Sequence, residues 1–211
     1  MDHTVSPSPA SRISMRLKSC AIRIATIAGL TASLLLPAAA QATEFNQLQP
    51  DRSTISFAYK QMNVPIEGRF KRFSGRISFD PMQPALAQAE IAIDVASIDT
   101  GFEEGDDEVA GKLWFNTRQF PVARFVSTSI KPLGNNRFEV TGRMSIKGHT
   151  HDVTTPATFK LDDGLGVFEG SFALKRGDYG VGEGMWADYG TVANEVQIRF
   201  RLVAATAPGR K

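Results

Sequence analysis

Alternating apolar and polar side chains recur along the chain from residue 55 to residue 202. A period of two is typical of strands that bury one face. Short intervals separate the alternating segments, and some carry turn residues, as in Gly134-Asn135-Asn136 and Asp162-Asp163-Gly164. Such hairpin connections predict an antiparallel sheet. The pattern predicts eight or nine strands, and residues 66–70 are only a short candidate. The ranges are 55–59, 66–70, 76–80, 89–95, 123–131, 138–146, 153–159, 168–174 and 196–202.

Residues 98–130 contain the one long interruption of this pattern. Thr100 and Glu103 have the spacing of a capping box, which predicts that a helix begins near Gly101. Acidic side chains fill its first turns, where the positive end of a helix dipole favours them, and Pro121 prevents continuation. We expect this helix to pack as a lid over the mouth or side of the β structure. The aromatic residues that follow it are Trp114, Phe115 and Phe120.

Alternation alone does not separate a closed barrel from a two-sheet sandwich. Eight strands close around a space just large enough for a small ligand. The predicted inner faces are rich in Phe and carry few charges. Both observations favour an all-β fold, an antiparallel eight-stranded barrel with one inserted short helix. Aromatic residues also fill ordinary cores, so periodicity by itself favours a solid interior over a cavity.

The first 42 residues have the pattern of a secretory signal peptide. Basic residues from Arg12 to Arg23 border an apolar run, and small residues end it at Ala40-Gln41-Ala42. The apolar run of about 16 residues is short for a membrane span, which needs roughly 20. We predict cleavage after Ala42, with Ala40 as the alternative and Met15 as an alternative start. Residues 43–211 then form a single exported domain.

Removal of this segment changes the charge and the cysteine count. Residues 1–42 hold four of the 24 basic and one of the 22 acidic residues, so the mature chain has 20 and 21 and a net charge of −1. No basic patch then predicts a nucleic-acid partner. The single cysteine, Cys20, also lies in the signal segment. The mature chain is therefore predicted to have no disulfide, thiol nucleophile or cysteine metal site.

The mature sequence offers no catalytic motif. His149 and His151 could bind a metal together with Asp152, but polar residues at a hairpin turn are the favoured interpretation. The segment 180–184, Gly-Val-Gly-Glu-Gly, lacks the spacing and the βαβ context of a dinucleotide loop. We therefore predict no catalytic residues, no metal and no cofactor, and we expect that the protein is not an enzyme.

Several short motifs follow one another in a set order along the mature chain. They are Ile77-Ser78-Phe79-Asp80, Ser97-Ile98-Asp99-Thr100-Gly101, Trp114-Phe115 with Phe120-Pro121, Phe125-Val126-Ser127, residues 140–148 and Arg176-x-Asp178-Tyr179-Gly180-x-Gly182. In order and spacing they resemble the YceI family of bacterial periplasmic proteins over essentially the whole mature chain. The resemblance implies a lipocalin-like barrel in the periplasm, whose hydrophobic interior holds an isoprenoid or another long lipid chain.

The chain departs from the family pattern at two places. Many members carry Asp-x-His-Leu where this chain has Asp106, Glu108 and Val109, so the role of that histidine is lost. Residues 60–65 differ from many members as well. This variant resembles the branch found with cytochrome-b561-type membrane proteins, which implies a quinone ligand or a redox partner. Paired barrels are plausible in the family, so a homodimer is a further expectation.

The leading hypothesis is a periplasmic carrier for an isoprenoid, either a quinone or a polyprenyl chain, or for a fatty-acyl amphiphile. Each exposed CH₂ of such a tail costs roughly 0.8 kcal/mol in water. One alternative is a hydrolase or transferase acting on a lipid head group through His149 or His151. Another is an adaptor with a solid core, which docks on a membrane redox partner through the acidic helix. The predicted lining is Phe57, Tyr59, Phe70, Phe79, Ile91, Ile93, Met144, Phe159, Phe172 and Phe200, with Trp114, Phe115 and Trp186 at the entrance.

Overall fold

The computed structural model describes residues 43–207. The predicted signal segment, with its cleavage sites, Met15 and Cys20, lies outside the described residues. The strands are β1 Phe45–Leu48, β2 Thr54–Gln61, β3 Val64–Phe70, β4 Phe73–Ser78, β5 Gln88–Asp94, β6 Ile98–Asp99, β7 Val122–Gly134, β8 Arg137–Ile146, β9 His149–Asp162, β10 Leu165–Lys175 and β11 Glu195–Thr206. The one α-helix among these residues is α1, Glu103–Ala110, and the short 3-10 helices are Pro50–Arg52, Pro84–Leu86, Val95–Ser97, Arg176–Tyr179 and Gly184–Trp186.

All strands of the described chain belong to one antiparallel sheet. Its order is β4-β5-β7-β8-β9-β10-β11-β2-β3-β6, and β1 pairs with β11 beside β2. Phe45 of β1 also bridges to Phe79, directly after β4, at the far edge of the sheet. The Phe45 amide donates to the Phe79 carbonyl at 2.8 Å, and the Phe79 amide donates back at 3.1 Å. Strand β1 thereby joins both sides of the curved sheet and helps to close it into a barrel.

The antiparallel barrel with one inserted helix is confirmed, but the predicted number of eight strands is wrong. Residues 43–207 form eleven strands, and the two that the pattern misses are β1 and β6. These strands have four and two residues. Segments so short cannot display a clear period of two, and their strand conformation depends on pairing with β11 and β3.

The predicted capping box is also wrong. Helix α1 begins at Glu103, and Phe102 stands at its N-cap position without a side-chain cap. Thr100 instead bonds to Asp106, whose Oδ1 accepts from both the Thr100 amide and the Thr100 hydroxyl at 2.7 Å. The partner of Thr100 is thus Asp106 rather than Glu103, and the helix starts later than predicted.

Two clusters of buried side chains fill the interior. The first is built around Phe45, Phe79 and Phe159, and the second around Trp114 and Tyr179. The second cluster packs near α1 and the segment that follows β10. None of the helices within residues 43–207 has the length and apolar character that crossing a membrane requires.

Candidate ligand-binding cavity

A cavity of about 260 Å³, the outer cavity, lies between the inner face of the sheet and helix α1. Most of its lining residues are buried or half-buried. The exposed ones are Phe102, Glu104 and Glu108, and all three lie in or directly before α1. The outer cavity therefore opens to solvent along this helix, which occupies the place where the sequence pattern predicts a lid.

A second cavity of about 120 Å³, which we call the inner cavity, lies beside the first within the barrel. Its lining is almost entirely apolar, and its polar members are Ser78, Gln88 and Thr155. Four residues line both cavities, so the two spaces are adjacent at this point, which we call the neck. The neck consists of Ile55, Ile93, Met144 and Ile198.

A pair of tryptophans stands beside the opening and is held by Glu108. The ring centroids of Trp114 and Trp186 lie 5.5 Å apart. The Glu108 carboxylate accepts from the Trp114 indole at 3.2 Å and from the Trp186 indole at 2.7 Å, both at Oε1. One helical side chain thus fixes two residues that lie far apart in the sequence. Glu108 stands where the family resemblance places a histidine.

Arg176 is a buried cation in the wall of the outer cavity. Its guanidinium also lies over the rings of Trp114, at 5.4 Å, and Tyr189, at 5.0 Å. Burial lowers the pKa of Arg176, and Tyr189 offsets part of this effect. An arginine has five N–H donors, and all five are used here at 2.7–3.2 Å. The acceptors are the main-chain carbonyls of Val181, Gly182, Trp186, Val192 and Ala193.

These bonds hold the segment 176–194 against the outer cavity. Gly182 has φ +80°, and a Cβ atom there would lie 2.2 Å from Nη1 of Arg176, so only glycine fits. On the outer side, Lys147 donates to the Gly180 carbonyl and, at 2.8 Å, to the Glu183 carboxylate. The bond and charge of Lys147 lower the pKa of Glu183. The conformation of the segment thus depends on two cations, one inside and one outside.

Uncharged polar groups face the outer cavity from strand β2. Tyr59 and Gln61 follow Ile55 and Phe57 on the inward-facing side of the strand, and both line the cavity. Burial raises the pKa of the Tyr59 hydroxyl, which is therefore neutral at physiological pH. Within residues 43–207, the Gln61 side-chain amide forms no hydrogen bond. These groups leave polar atoms available beside an otherwise apolar space.

Similarity to known proteins decides the family of the chain. The sequence model of the YceI-like domain matches residues 47–204. The chain belongs to the YceI-like family. One relative, the UPF0312 protein of Shewanella denitrificans, is 35% identical over 130 residues, which cover 61% of this chain and 68% of that protein.

Two solved structures of other proteins have a similar fold. BcnA of Burkholderia cenocepacia is 45% identical to this chain, and the two superpose with a TM-score of 0.73. The match covers 75% of this chain and 100% of BcnA. A polyisoprenoid binding domain from Saccharophagus degradans has a TM-score of 0.61 at 16% identity, covering 79% of this chain and 99% of that one. The family and the lipocalin-like fold that the sequence motifs predict are thus confirmed.

The YceI-like barrel brings most of the predicted binding residues to the two cavities. Phe159 lines neither cavity, because its ring packs against Phe45, Phe79 and Phe168 in the core. That the others contact a ligand stays a prediction. Those lining the outer cavity are Phe57, Tyr59, Phe70, Ile93, Trp114, Phe115, Met144 and Trp186. Those lining the inner cavity are Phe79, Ile91, Ile93, Met144, Phe172 and Phe200.

The two histidines of the YceI-like domain lie on the exposed side of its wall. His151 contacts the Asp178 main-chain oxygen at 2.9 Å and packs edge-on against Tyr179. His149 lies near enough to Glu183 to help lower the pKa of that carboxyl. Neither histidine lines the cavities. In the part of the chain that the structure describes, no three His, Cys, Asp or Glu residues are grouped as a metal site.

Sequence reasoning missed two polar residues of the YceI-like site. The sequence pattern accounts for Glu108 only as one of the acidic side chains that the helix dipole favours, yet it accepts from both indoles. Arg176 belongs to a family motif, but nothing in the local pattern indicates burial or five carbonyl partners. The available signals were the place of Arg176 in a motif that resembles the family and the replacement of a histidine of many family members by Glu108.

Proposed function

We propose that this YceI-like protein is a periplasmic carrier that sequesters an isoprenoid, either a quinone or a polyprenyl chain, or another long-chain amphiphile. The observation that supports this proposal is the pair of apolar cavities that are adjacent at the neck. The outer cavity opens beside α1, and the inner cavity would extend the same apolar path within the barrel. This arrangement suits a molecule with a polar end and a long apolar tail.

The lining of the path determines what it can hold. An apolar wall removes a tail from water, at roughly 0.8 kcal/mol per CH₂, without directional contacts. Binding pockets of this kind are mainly apolar with a few placed polar groups. Here the polar groups stand at the outer end, on Tyr59, Gln61 and Glu108. The tail is therefore expected inside and the head group at the opening.

The family adds support for the ligand class. A solved structure of similar fold from Saccharophagus degradans is described as a polyisoprenoid binding domain. At 16% identity that likeness carries the fold, and its ligand class reaches this chain as a proposal. The cytochrome-b561-type partner and the homodimer likewise stay predictions.

The alternatives fit the structure less well. A solid-core adaptor predicts a filled interior, whereas the barrel contains two cavities. A head-group hydrolase needs a histidine near the bound ligand, whereas His149 and His151 lie outside both cavities. A binding protein without catalytic residues therefore agrees best with the site.

The test begins with the full chain expressed in a bacterial host and purified from the periplasmic fraction, which also tests the localisation. The protein is extracted with organic solvent, and the extract is analysed by mass spectrometry. We expect a stoichiometric isoprenoid or fatty-acyl species that an unrelated exported protein, prepared in parallel, does not yield. An empty extract, together with no uptake of added geranylgeraniol by the purified protein, would refute the carrier function.

A further inference from the structure

The charged residues around the outer cavity are mostly acidic. Glu104 and Glu108 line its opening, and their spacing of four places them on one face of α1. The first turn of the helix also carries Glu103 and Asp106, and its last turn contains no basic residue. A ligand head group at this opening therefore lies beside two carboxylates and within the field of further ones.

The one cationic side chain in the described lining has no free N–H group with which to bind an anionic head group. Arg176 donates all five of its N–H groups to main-chain carbonyls, so none is left for a phosphate or a carboxylate of a ligand. Lys147 lies outside the lining, where it is paired with Glu183 at 2.8 Å. No residue of the described lining thus offers a free cationic donor to an anionic head group.

The polar atoms that remain in the lining of the outer cavity suit an uncharged head group. Glu108 bonds to both indoles through Oε1, and its Oε2 forms no hydrogen bond with any residue from 43 to 207. A carboxylate oxygen only accepts, so it requires a donor on the ligand. The Gln61 amide and the Tyr59 hydroxyl can each donate or accept. A hydroxyl or amide head group satisfies these atoms, whereas a phosphate places negative charge against the carboxylates.

We propose that the opening selects amphiphiles with an uncharged, hydrogen-bond-donating head group against those with an anionic head group, and that Glu108 is the residue that determines this specificity. The inference rests on the proposed carrier function and adds the class of head group. It excludes isoprenyl phosphates and fatty-acid anions as preferred ligands. It includes prenyl alcohols and quinols.

Two probes with the same tail test the proposal, geranylgeraniol and geranylgeranyl phosphate. Both tryptophans of the chain line the outer cavity, so their fluorescence reports occupancy directly. Titrations run below the aggregation concentration of each probe, and mass spectrometry of the complex provides an independent count. We expect the phosphate to bind at least about tenfold more weakly at low salt. The difference in affinity between the two probes is expected to decrease at about 1 M salt, because salt screens exposed charges.

Glu108→Gln removes the charge while keeping an acceptor for both indoles. We expect it to reduce the disadvantage of the phosphate, measured as the ratio of the two affinities, by about threefold or more. Glu103→Gln is the matched control, because it removes the same charge from α1 at a residue that does not line the cavity. It should change the ratio much less. Each variant is calibrated against its own saturated signal.

The outcomes separate the two proposals. Tight binding of both probes with equal affinity, or an unchanged affinity ratio in Glu108→Gln, overturns the head-group inference while the carrier function stands. If neither probe binds by either method, the carrier function fails and the head-group inference fails with it. A larger effect of Glu103→Gln than of Glu108→Gln would assign selectivity to the overall field of the helix and overturn the role of Glu108.

Discussion

Replacing Arg176 by lysine keeps a positive charge in the barrel wall but leaves too few donors. Arginine provides five N–H groups and lysine three. All five are used on carbonyls in the segment 181–193. At least two of these carbonyls must therefore lose their partner in Arg176→Lys, even if the ammonium group is placed ideally.

The expected loss of stability follows from that count. A buried acceptor left without a partner costs about 1–3 kcal/mol. Two such acceptors correspond to a loss of about 2–6 kcal/mol in the free energy of unfolding. This is a large fraction of the roughly 5–15 kcal/mol that stabilise a typical domain. Loss of the planar contacts with the rings of Trp114 and Tyr189 acts in the same direction.

Urea unfolding followed by far-UV circular dichroism measures this loss without relying on the tryptophans. Arg199→Lys is the matched control, since Arg199 is exposed and forms a single ion pair with Glu67 at 3.0 Å. We expect it to change stability by less than about 1 kcal/mol, as is usual for surface pairs. A loss below about 0.5 kcal/mol in Arg176→Lys, or one no larger than in the control, would show that the five-donor count does not determine stability.

Three further outcomes are expected. Phe172→Asp places an unpaired charge on the wall of the inner cavity and should abolish lipid uptake. Ser171→Asp, on the exposed side of the same strand, is the control and should not affect uptake. Unchanged uptake in a folded Phe172→Asp variant would show that Phe172 does not contact the lipid. Gly182→Ala should lower the melting temperature more than Gly134→Ala. Both positions have φ near +80°, but only at Gly182 would the added Cβ atom lie 2.2 Å from Nη1 of Arg176, and equal losses would contradict this steric argument. Its bond to Lys147 lowers the pKa of Glu183 below the ordinary value of 4.5. The ion pair therefore stabilises the folded protein above pH 4.5, and this stabilisation is lost as the pH falls through the lowered pKa of the folded state. Glu183→Gln should therefore reduce the acid sensitivity of the melting temperature, and parallel pH profiles for variant and wild type would contradict this.

The strands were largely predictable because alternation is a local property. Strand β11 shows it over Val196 to Leu202, and no distant partner is needed to recognise it. Strands β1 and β6 depend on distant pairing and give no such signal. The start of α1 was misjudged because Thr100 had two acidic candidates, and the one further along the helix forms the bond.

The sequence predicts which side chains of the site face inward, but not whether they enclose a cavity. Alternation shows that Phe57 and Phe172 face inward, but it does not show whether opposing side chains meet or leave a space between them. The roles of Glu108 and Arg176 depend on groups brought together by folding. For Glu108 one of these is the Trp186 indole, 78 residues away. Sequence patterns carry no signal for such contacts.

In the proposed carrier, the neck would make the rate of ligand entry and release depend on the length of the ligand tail. A tail that ends in the outer cavity enters without displacing any of the four neck residues. A longer tail must pass Met144, which adapts more easily than the three β-branched isoleucines beside it. In the proposed carrier, loading and release of a long tail would therefore require a rearrangement at the neck. Long amphiphiles would then stay in the protein longer than short ones.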